Sequence, residues 1–542
     1  MSTGPLNTEV PSVAPAGGVS IVGRLFAIAV LAVLFFGFSL ARSSIPGVNE
    51  SHYLSKARHF WQPEWCRGDL FLESANPHGV FYVVFGWLTT KMSLAHAALV
   101  IRAGQSLLVA WGWLALGRRC LGDTRQAIMA AVLFLLLQAT GTWSGEWLIG
   151  GAESKVWAYG CLFLAAAWGL DRRWLLAAVS GGLAVSMHPV VGCWGVVIAI
   201  LAAVLHRATR SSAADYEVPS ASSPVPRTTL PVILLALGLF ALASTPGMFF
   251  AIRSLASPGP EVASEADYLQ VGVRLSHHLD PLTFSVRAWR DYVLLLMVFL
   301  LVRTRLISRA PAQAWLERWM VVAVLIAMAG VAIAWGPRPL NQLPWWQLRV
   351  KLLKLYPFRL ADMLVPITVV FTVSAGLWQW MSQRLTAGQR RAILTAVVGV
   401  LLWIAFRVPG LDKTLDQQPV AVQKDWMSAC EWLRNHTPQD AVLYATNDNW
   451  SLRWYAERPE YFHFKDCPQD AASIVEWNRR NWVIYNWKLK VFADGVVTQQ
   501  ELSQLRSETG ITHLVCGRFG PVKMEPVFRT SNVTIYELPT AN

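Results

Sequence analysis

The chain has 542 residues, of which 54% are hydrophobic and only 15% are charged, and its formal net charge is +13. A soluble domain averages about 25% charged residues, and the apolar residues here collect in runs of about twenty, the length that crosses a bilayer as a helix. This composition excludes an ordinary soluble protein. Because the positive charge lies mostly between apolar runs, membrane topology explains it better than nucleic-acid binding does.

The apolar runs predict about eleven transmembrane helices. The first run has no basic segment before residue 24, so we interpret it as a retained span that follows a cytoplasmic N-terminal tail at 1–19. Residues 79–92 are too short to span alone, and we expect a helix lying at the membrane interface. The predicted spans are 20–42, 93–116, 126–146, 152–170, 173–189, 190–205, 230–252, 290–304, 319–335, 360–381 and 391–408.

The arginines of the short loops indicate the orientation. All of the Arg-rich segments fall on one side of the membrane if the N-terminus is cytoplasmic, as the positive-inside rule requires. We therefore predict an integral inner- or plasma-membrane protein with a transmembrane domain at 20–408, a first extracytoplasmic loop at 43–79 and an extracytoplasmic C-terminal domain at 409–542. A cytoplasmic linker at 206–229 contains a low-complexity segment at 211–226. The Arg-rich segments are 117–125, 171–173, 206–229, 303–318 and 382–391.

The C-terminal segment becomes polar from about residue 420 and alternates helical and strand patterns. This alternation predicts a small α/β domain, and no glycine-rich nucleotide-binding loop is present in it. The predicted helices are 425–437, 469–489 and 499–509, and the predicted strands are 440–446, 512–516 and 532–538.

Ionisable residues collect at the predicted extracytoplasmic ends of the spans. Such groups mark a candidate functional site when they face a shared cavity, although each alone is also explained as a solvated loop charge, a snorkelling side chain or a helix-end group. No Cys or His spacing typical of a metal site is present, so the sequence names no cofactor and leaves a divalent metal open. The residues are Glu50, His78, Glu153, Lys155, His188, Arg359 and Asp362.

Three short motifs resemble the membrane glycosyltransferases of the C superfamily (GT-C), which include the protein O-mannosyltransferases and the lipid A aminoarabinose transferases. They are E-S-H-Y at 50–53 after the first span, G-D at 68–69, and P-H-G-V-F-Y-V-V-F-G-W-L at 77–88. Where many members carry an acidic pair, this chain has Asn49–Glu50, and Pro77–His78 stand where they carry a lysine. The fuller pattern, with GAESKVWAY, HPVVG and PFRL, looks like a group of uncharacterised bacterial multi-pass proteins, many from planctomycetes.

The resemblance implies a GT-C-like fold and inverting transfer of a sugar from a polyprenyl-phosphate donor to an extracytoplasmic acceptor, which is a protein, a glycolipid or a cell-envelope polymer. It implies Glu50 as the general base and membrane lipids as further partners. A non-catalytic membrane scaffold or binding protein is the alternative, and a transporter is another, for which the mid-span Arg102 would be an argument. The candidate substrate-binding residues are Tyr53, His78, Glu153, Lys155, His188 and Arg359.

Overall fold

The computed structural model describes residues 20–47, 49–211, 229–306, 309–408, 415–447, 449–491 and 493–540. The predicted N-terminal tail at 1–19 and the low-complexity segment from residue 212 onward lie outside the described residues.

The described residues form a predominantly helical protein with a small C-terminal sheet. The helices are α1 (Ile21–Arg42), α2 (Glu50–Trp61), α3 (Leu70–Glu73), α4 (Gly79–Lys91), α5 (Leu94–Leu121), α6 (Thr124–Thr140), α7 (Ser154–Leu170), α8 (Trp174–Met187), α9 (Pro189–Ser211), α10 (Leu230–Ser254), α11 (Pro260–Tyr268), α12 (Ser276–Leu279), α13 (Val286–Arg305), α14 (Pro311–Ala334), α15 (Trp346–Leu353), α16 (Arg359–Arg384), α17 (Ala387–Arg407), α18 (Val420–His436), α19 (Leu452–Ala456), α20 (Ala471–Val491) and α21 (Gln499–Thr509). The strands are β1 (Leu443–Ala445), β2 (His513–Cys516), β3 (Phe528–Arg529) and β4 (Thr534–Glu537).

The prediction of an α-helical polytopic membrane protein is confirmed. Seven helices in the described part of the chain are long and apolar enough to cross a membrane, and α6 and α8 are shorter apolar helices. The remaining two predicted spans coincide with α7 and α13, and the total of eleven stays a prediction. The seven are α1, α5, α9 (Pro189–Ala208 of it), α10, α14, α16 and α17.

The predicted span 126–146 extends beyond the end of the helix that it describes. The sequence predicted a span over 126–146, but α6 ends at Thr140 and residues 141–153 form a loop. Gly141 has φ +136° and Gly145 has φ +79°, backbone conformations that L side chains disfavour. Residues 126–145 contain no charged side chain, so the hydropathy pattern concealed the start of the loop, which lines the cavity described below.

Aromatic packing around Trp113 of α5 joins the central helices. Trp113 is 1% exposed, and its ring contacts Phe35, Phe134, Phe163 and Phe371 at centroid distances of 5.2 to 6.2 Å. Its indole N–H donates to the Ala127 carbonyl at 2.9 Å, so the polar atom is satisfied as a buried Trp requires. This packing ties α1, α6, α7 and α16 to α5.

The C-terminal sheet has the strand order β1-β2-β4-β3. β1 pairs with β2 in parallel, whereas β4 pairs antiparallel with both β2 and β3. The sequence patterns predicted β1, β2 and β4 but missed the two-residue β3. Helices α18, α20 and α21 confirm the three predicted helices within a few residues.

A buried ion cluster joins this C-terminal domain to the loop that follows α1. Arg453 is 2% exposed and pairs with Asp69 at 2.6 Å, with Asp466 at 2.7 Å and with Glu460 at 3.3 Å. His52 of α2 lies 2.8 Å from the other Asp466 oxygen. A buried arginine needs several compensating partners, so the domain and the first loop form one packed unit.

Candidate functional site

A cavity of about 460 Å³ lies where the first loop, the loop 141–153, the start of α16 and the C-terminal domain meet. Most of the ionisable residues predicted at span ends therefore meet around one space, whereas Glu50 and Asp362 do not line it. The predicted residues that line it are Tyr53, His78, Glu153, Lys155, His188 and Arg359.

Asp362 holds the loop 141–153 in place. Its carboxylate accepts hydrogen bonds from the backbone N–H groups of Trp143, Ser144 and Glu146 at 2.8 to 2.9 Å, and from the Ser144 hydroxyl at 2.8 Å. Three convergent backbone donors on one carboxylate fix the turn. As a result the Glu146 side chain faces the cavity.

Glu146 is the centre of a buried chain of charges. Its carboxylate lies 3.2 Å from Arg359 and 3.7 Å from Lys155, which in turn lies 3.4 Å from Glu153. The Tyr159 hydroxyl donates to Glu146 at 3.2 Å, and the Arg359 guanidinium meets His188 Nε2 at 3.2 Å. Acids and bases therefore alternate along one wall of the cavity.

The Glu153 carboxylate is the least satisfied member of this chain. It is 2% exposed, and its Oε1 makes no hydrogen bond of normal geometry. Burial raises its pKa above the ordinary glutamate value, although Lys155 and the Asn49 side chain both act to lower it. A carboxylate poised in this way is suited to accept a proton.

His78 is a neutral member of the site. Burial, and next Arg359, lower its pKa to about 3, so the imidazole is uncharged at neutral pH. Its Nδ1 lies 3.1 Å from the Ser154 hydroxyl, which also reaches the Tyr53 hydroxyl at 3.4 Å. His78 is therefore placed to exchange hydrogen bonds but not to supply charge.

Glu50 lies apart from the cavity. It is 0% exposed, and its carboxylate accepts from Arg102 Nη2 and from the Gly47 N–H at 2.6 Å and from the Ala152 N–H at 2.7 Å. It is absent from the residues lining the cavity, whereas its neighbour Asn49 is among them. The role of Glu50 as a general base stays a prediction, and in this structure Glu50 braces the start of α2 against α5.

Several residues that line the cavity were not predicted from the sequence. Glu146 was visible as an acid inside an apolar run, but the run was interpreted as membrane-spanning. Gln270 and Arg274, on a π-helix at Leu269–Arg274, and Lys465 of the C-terminal domain lie nearly two hundred residues apart in the chain. No local spacing signals their meeting, because tertiary packing alone brings them together.

The cavity is net cationic. Of the described residues that line it, five carry cationic side chains and two carry carboxylates, which suits an anionic ligand. In the described part of the chain no group of three or more His, Cys, Asp or Glu side chains is arranged to hold a metal ion. The charged residues are Arg42, Lys155, Arg274, Arg359 and Lys465, with Glu146 and Glu153.

A family model described as a domain of unknown function (DUF6798) matches residues 424–484. No curated protein matches the chain. Among solved structures, it is similar to the archaeal oligosaccharyltransferase AglB from Archaeoglobus fulgidus in complex with an inhibitory peptide and a dolichol-phosphate, with TM-score 0.42, 11% identity and coverage of 91% of this chain and 69% of that chain.

An Archaeoglobus fulgidus oligosaccharyltransferase tethered with an acceptor peptide gives TM-score 0.42 and 12% identity over 92% of this chain and 69% of that chain. The Archaeoglobus fulgidus oligosaccharyltransferase in complex with Zn and sulfate gives TM-score 0.39 and 11% identity over 91% of this chain and 68% of that chain. Scores and identities this low do not fix a common fold, so the chemistry of the cavity itself must indicate the function.

Proposed function

We propose that the protein is a GT-C-like membrane glycosyltransferase that transfers a sugar from a polyprenyl-phosphate donor to an extracytoplasmic acceptor. The observation that supports this most directly is a net-cationic cavity, with carboxylates beside the cations, at the ends of membrane-spanning helices. An isoprenoid chain requires the bilayer, its phosphate requires cations, and the acceptor hydroxyl requires a base. The cavity offers the cations and the carboxylates, and the long apolar helices around it would hold the isoprenoid chain in the bilayer.

Lys155 and Arg359 are the proposed partners of the donor phosphate. When the bond between the sugar C1 and the phosphate oxygen breaks, negative charge grows on the departing polyprenyl phosphate, and fixed cations stabilise it. Both cations are already held in place by Glu146, so little reorganisation is needed as that charge develops. His188 supports Arg359 from the other side at 3.2 Å.

Glu153 is the proposed general base among the carboxylates that line the cavity. It would take the proton of the acceptor hydroxyl while the hydroxyl oxygen bonds to C1 and the phosphate leaves from the opposite face, which inverts C1. A base within hydrogen-bond reach contributes about 10²- to 10⁴-fold. Glu50 would act as a base only if its ion pair with Arg102 opened. We therefore assign Glu50 a structural role, which is to hold the start of α2 against α5.

A non-catalytic protein that binds the same lipid-linked sugar is the second candidate, and one observation favours it. The position that faces the cavity at the start of α2 carries an amide, Asn49, where the resembled transferases carry an acid. The argument for a transporter is weaker, because the mid-span Arg102 has a structural partner in Glu50.

The test is a transfer assay on the full-length protein in lipid nanodiscs. Polyprenyl phosphates carrying radiolabelled hexoses or pentoses are supplied with an extracytoplasmic extract as acceptor, and release of polyprenyl phosphate is measured. Glu153→Gln should retain lipid binding and lose transfer, whereas the control Glu64→Gln, with a side chain 80% exposed, should behave as wild type. Binding without transfer by the wild-type protein would establish the non-catalytic alternative.

A further inference from the structure

The π-helix Leu269–Arg274 and the C-terminal domain together cover one side of the cavity. Gln270 Nε2 donates to Gln469 Oε1 at 3.4 Å, and Arg274 Nη2 donates to the Lys465 carbonyl at 3.0 Å. We call these four residues, Gln270, Arg274, Lys465 and Gln469, the roof. All four line the cavity, and none of them has a role in the proposed transfer step.

Two buried polar atoms of the roof have no partner. Gln270 is 2% exposed, yet its Oε1 accepts no hydrogen bond, and Arg274 Nε is buried without an acceptor. A buried polar atom without a partner costs free energy unless a ligand or water satisfies it. A π-helix is rare in proteins and occurs often at functional sites. The π-helix Leu269–Arg274 contributes both Gln270 and Arg274 to the cavity lining.

We propose that the roof recognises the hydroxyl groups of the sugar that the polyprenyl phosphate carries. This inference rests on the proposed function and adds the part of the donor that the roof contacts. Primary amides both donate and accept, as a hydroxyl does, so Gln270 and Gln469 match a pair of neighbouring sugar hydroxyls. The Arg274 Nε–H supplies a further donor, while the phosphate remains with Lys155 and Arg359.

The roof also gives the C-terminal domain a specific role. Lys465 and Gln469 both lie within residues 424–484, the segment matched by the family model. The buried cluster of Arg453, Asp69 and Asp466 fixes this segment against the first loop. The domain therefore completes the sugar subsite, and the cavity without it would hold only the lipid phosphate.

The experiment compares binding of farnesyl phosphate with binding of farnesyl-phosphoryl mannose, glucose, galactose, arabinose and glucuronic acid. The full-length protein in detergent is titrated with each lipid by microscale thermophoresis. We expect at least one sugar to tighten wild-type binding, and Gln270→Ala and Gln469→Ala each to reduce that gain by about 3- to 10-fold, the effect of one lost hydrogen bond. Bare farnesyl phosphate should bind both variants as it binds wild type.

Gln500→Ala is the matched control, since Gln500 is an exposed glutamine of the same domain. If wild type binds bare and glycosylated lipids equally, or if the two roof variants keep the full gain, the sugar subsite is wrong while the phosphate site stands. If wild type binds neither bare nor glycosylated lipid, the proposed function fails and the subsite fails with it. A variant that loses bare farnesyl phosphate as well would show a general collapse of the cavity and would also overturn the sugar-specific role.

Discussion

Glu50→Gln is expected to destabilise the fold rather than to remove a base selectively. Glu50 and Arg102 are both 0% exposed, and the carboxylate accepts from two atoms of the Arg102 guanidinium and from two backbone N–H groups. A glutamine keeps one acceptor oxygen but turns an N–H₂ group toward these donors, and it leaves the Arg102 charge uncompensated. Removing one partner of a buried ion pair costs about 3–5 kcal/mol.

The measurement is thermal unfolding of the purified variants in one detergent, followed by the intrinsic fluorescence of the 27 tryptophans. Glu50→Gln should melt well below wild type, and the double variant Glu50→Gln/Arg102→Met should recover part of the loss because the unpaired charge is gone. Glu64→Gln provides the exposed control. A Glu50→Gln protein that melts with wild type and loses transfer would refute this reasoning and return Glu50 to the role of general base.

Three further predictions concern the cavity and its covering domain. Wild-type transfer should fall as the pH drops through the Glu153 pKa, which burial raises, because a base must be ionised; the small residual transfer of Glu153→Gln should lack this acid limb. Lys155→Met should weaken binding of polyprenyl phosphate by about 10- to 100-fold, the loss of one charge-assisted contact, as measured by titration with farnesyl phosphate. Asp69→Asn should leave Arg453 short of a partner at a cost of about 3–5 kcal/mol, seen as faster hydrogen exchange over 424–484, whereas the exposed Asp494→Asn should leave that exchange unchanged.

The sequence located the site residues that sit at the ends of apolar runs. Glu153, Lys155 and Arg359 each lie within a residue or two of a helix start, so hydropathy alone places them at a membrane boundary. Since helix ends on one side of a bundle share that boundary, their convergence followed from the span count and the loop charges. The same logic recovered the helix break at His188, where α8 ends and α9 begins.

The direction in which a side chain points was beyond the sequence. Asn49 and Glu50 are adjacent at the start of α2, and successive helical residues point about 100° apart, so only one of them faces the cavity. Which one does so is decided by Arg102, 52 residues further along the chain. Residues 141–146 were assigned to a span for a different reason: no charged residue precedes Glu146 in that stretch, and the contacts of Asp362 show that it folds back.

The neutral amide of Asn49 faces the cavity, and Asn49→Asp tests what an added negative charge does there. The Asn49 Oδ1 accepts from Lys465 Nζ at 3.1 Å, so an aspartate there would form an ion pair and offset one cation of the roof. Affinity for farnesyl phosphate should fall by about 3- to 10-fold, as the loss of one favourable charge predicts.

Transfer per bound donor should rise in the same Asn49→Asp variant, because a second carboxylate would stand beside Glu153 at the acceptor hydroxyl. The two readouts separate the candidates: a catalytic protein shows weaker binding with faster turnover, and a binding protein shows weaker binding alone. Unchanged affinity for farnesyl phosphate would contradict this electrostatic effect and would show that the charge at Lys465 does not reach the phosphate, which would then depend on Lys155 and Arg359 alone.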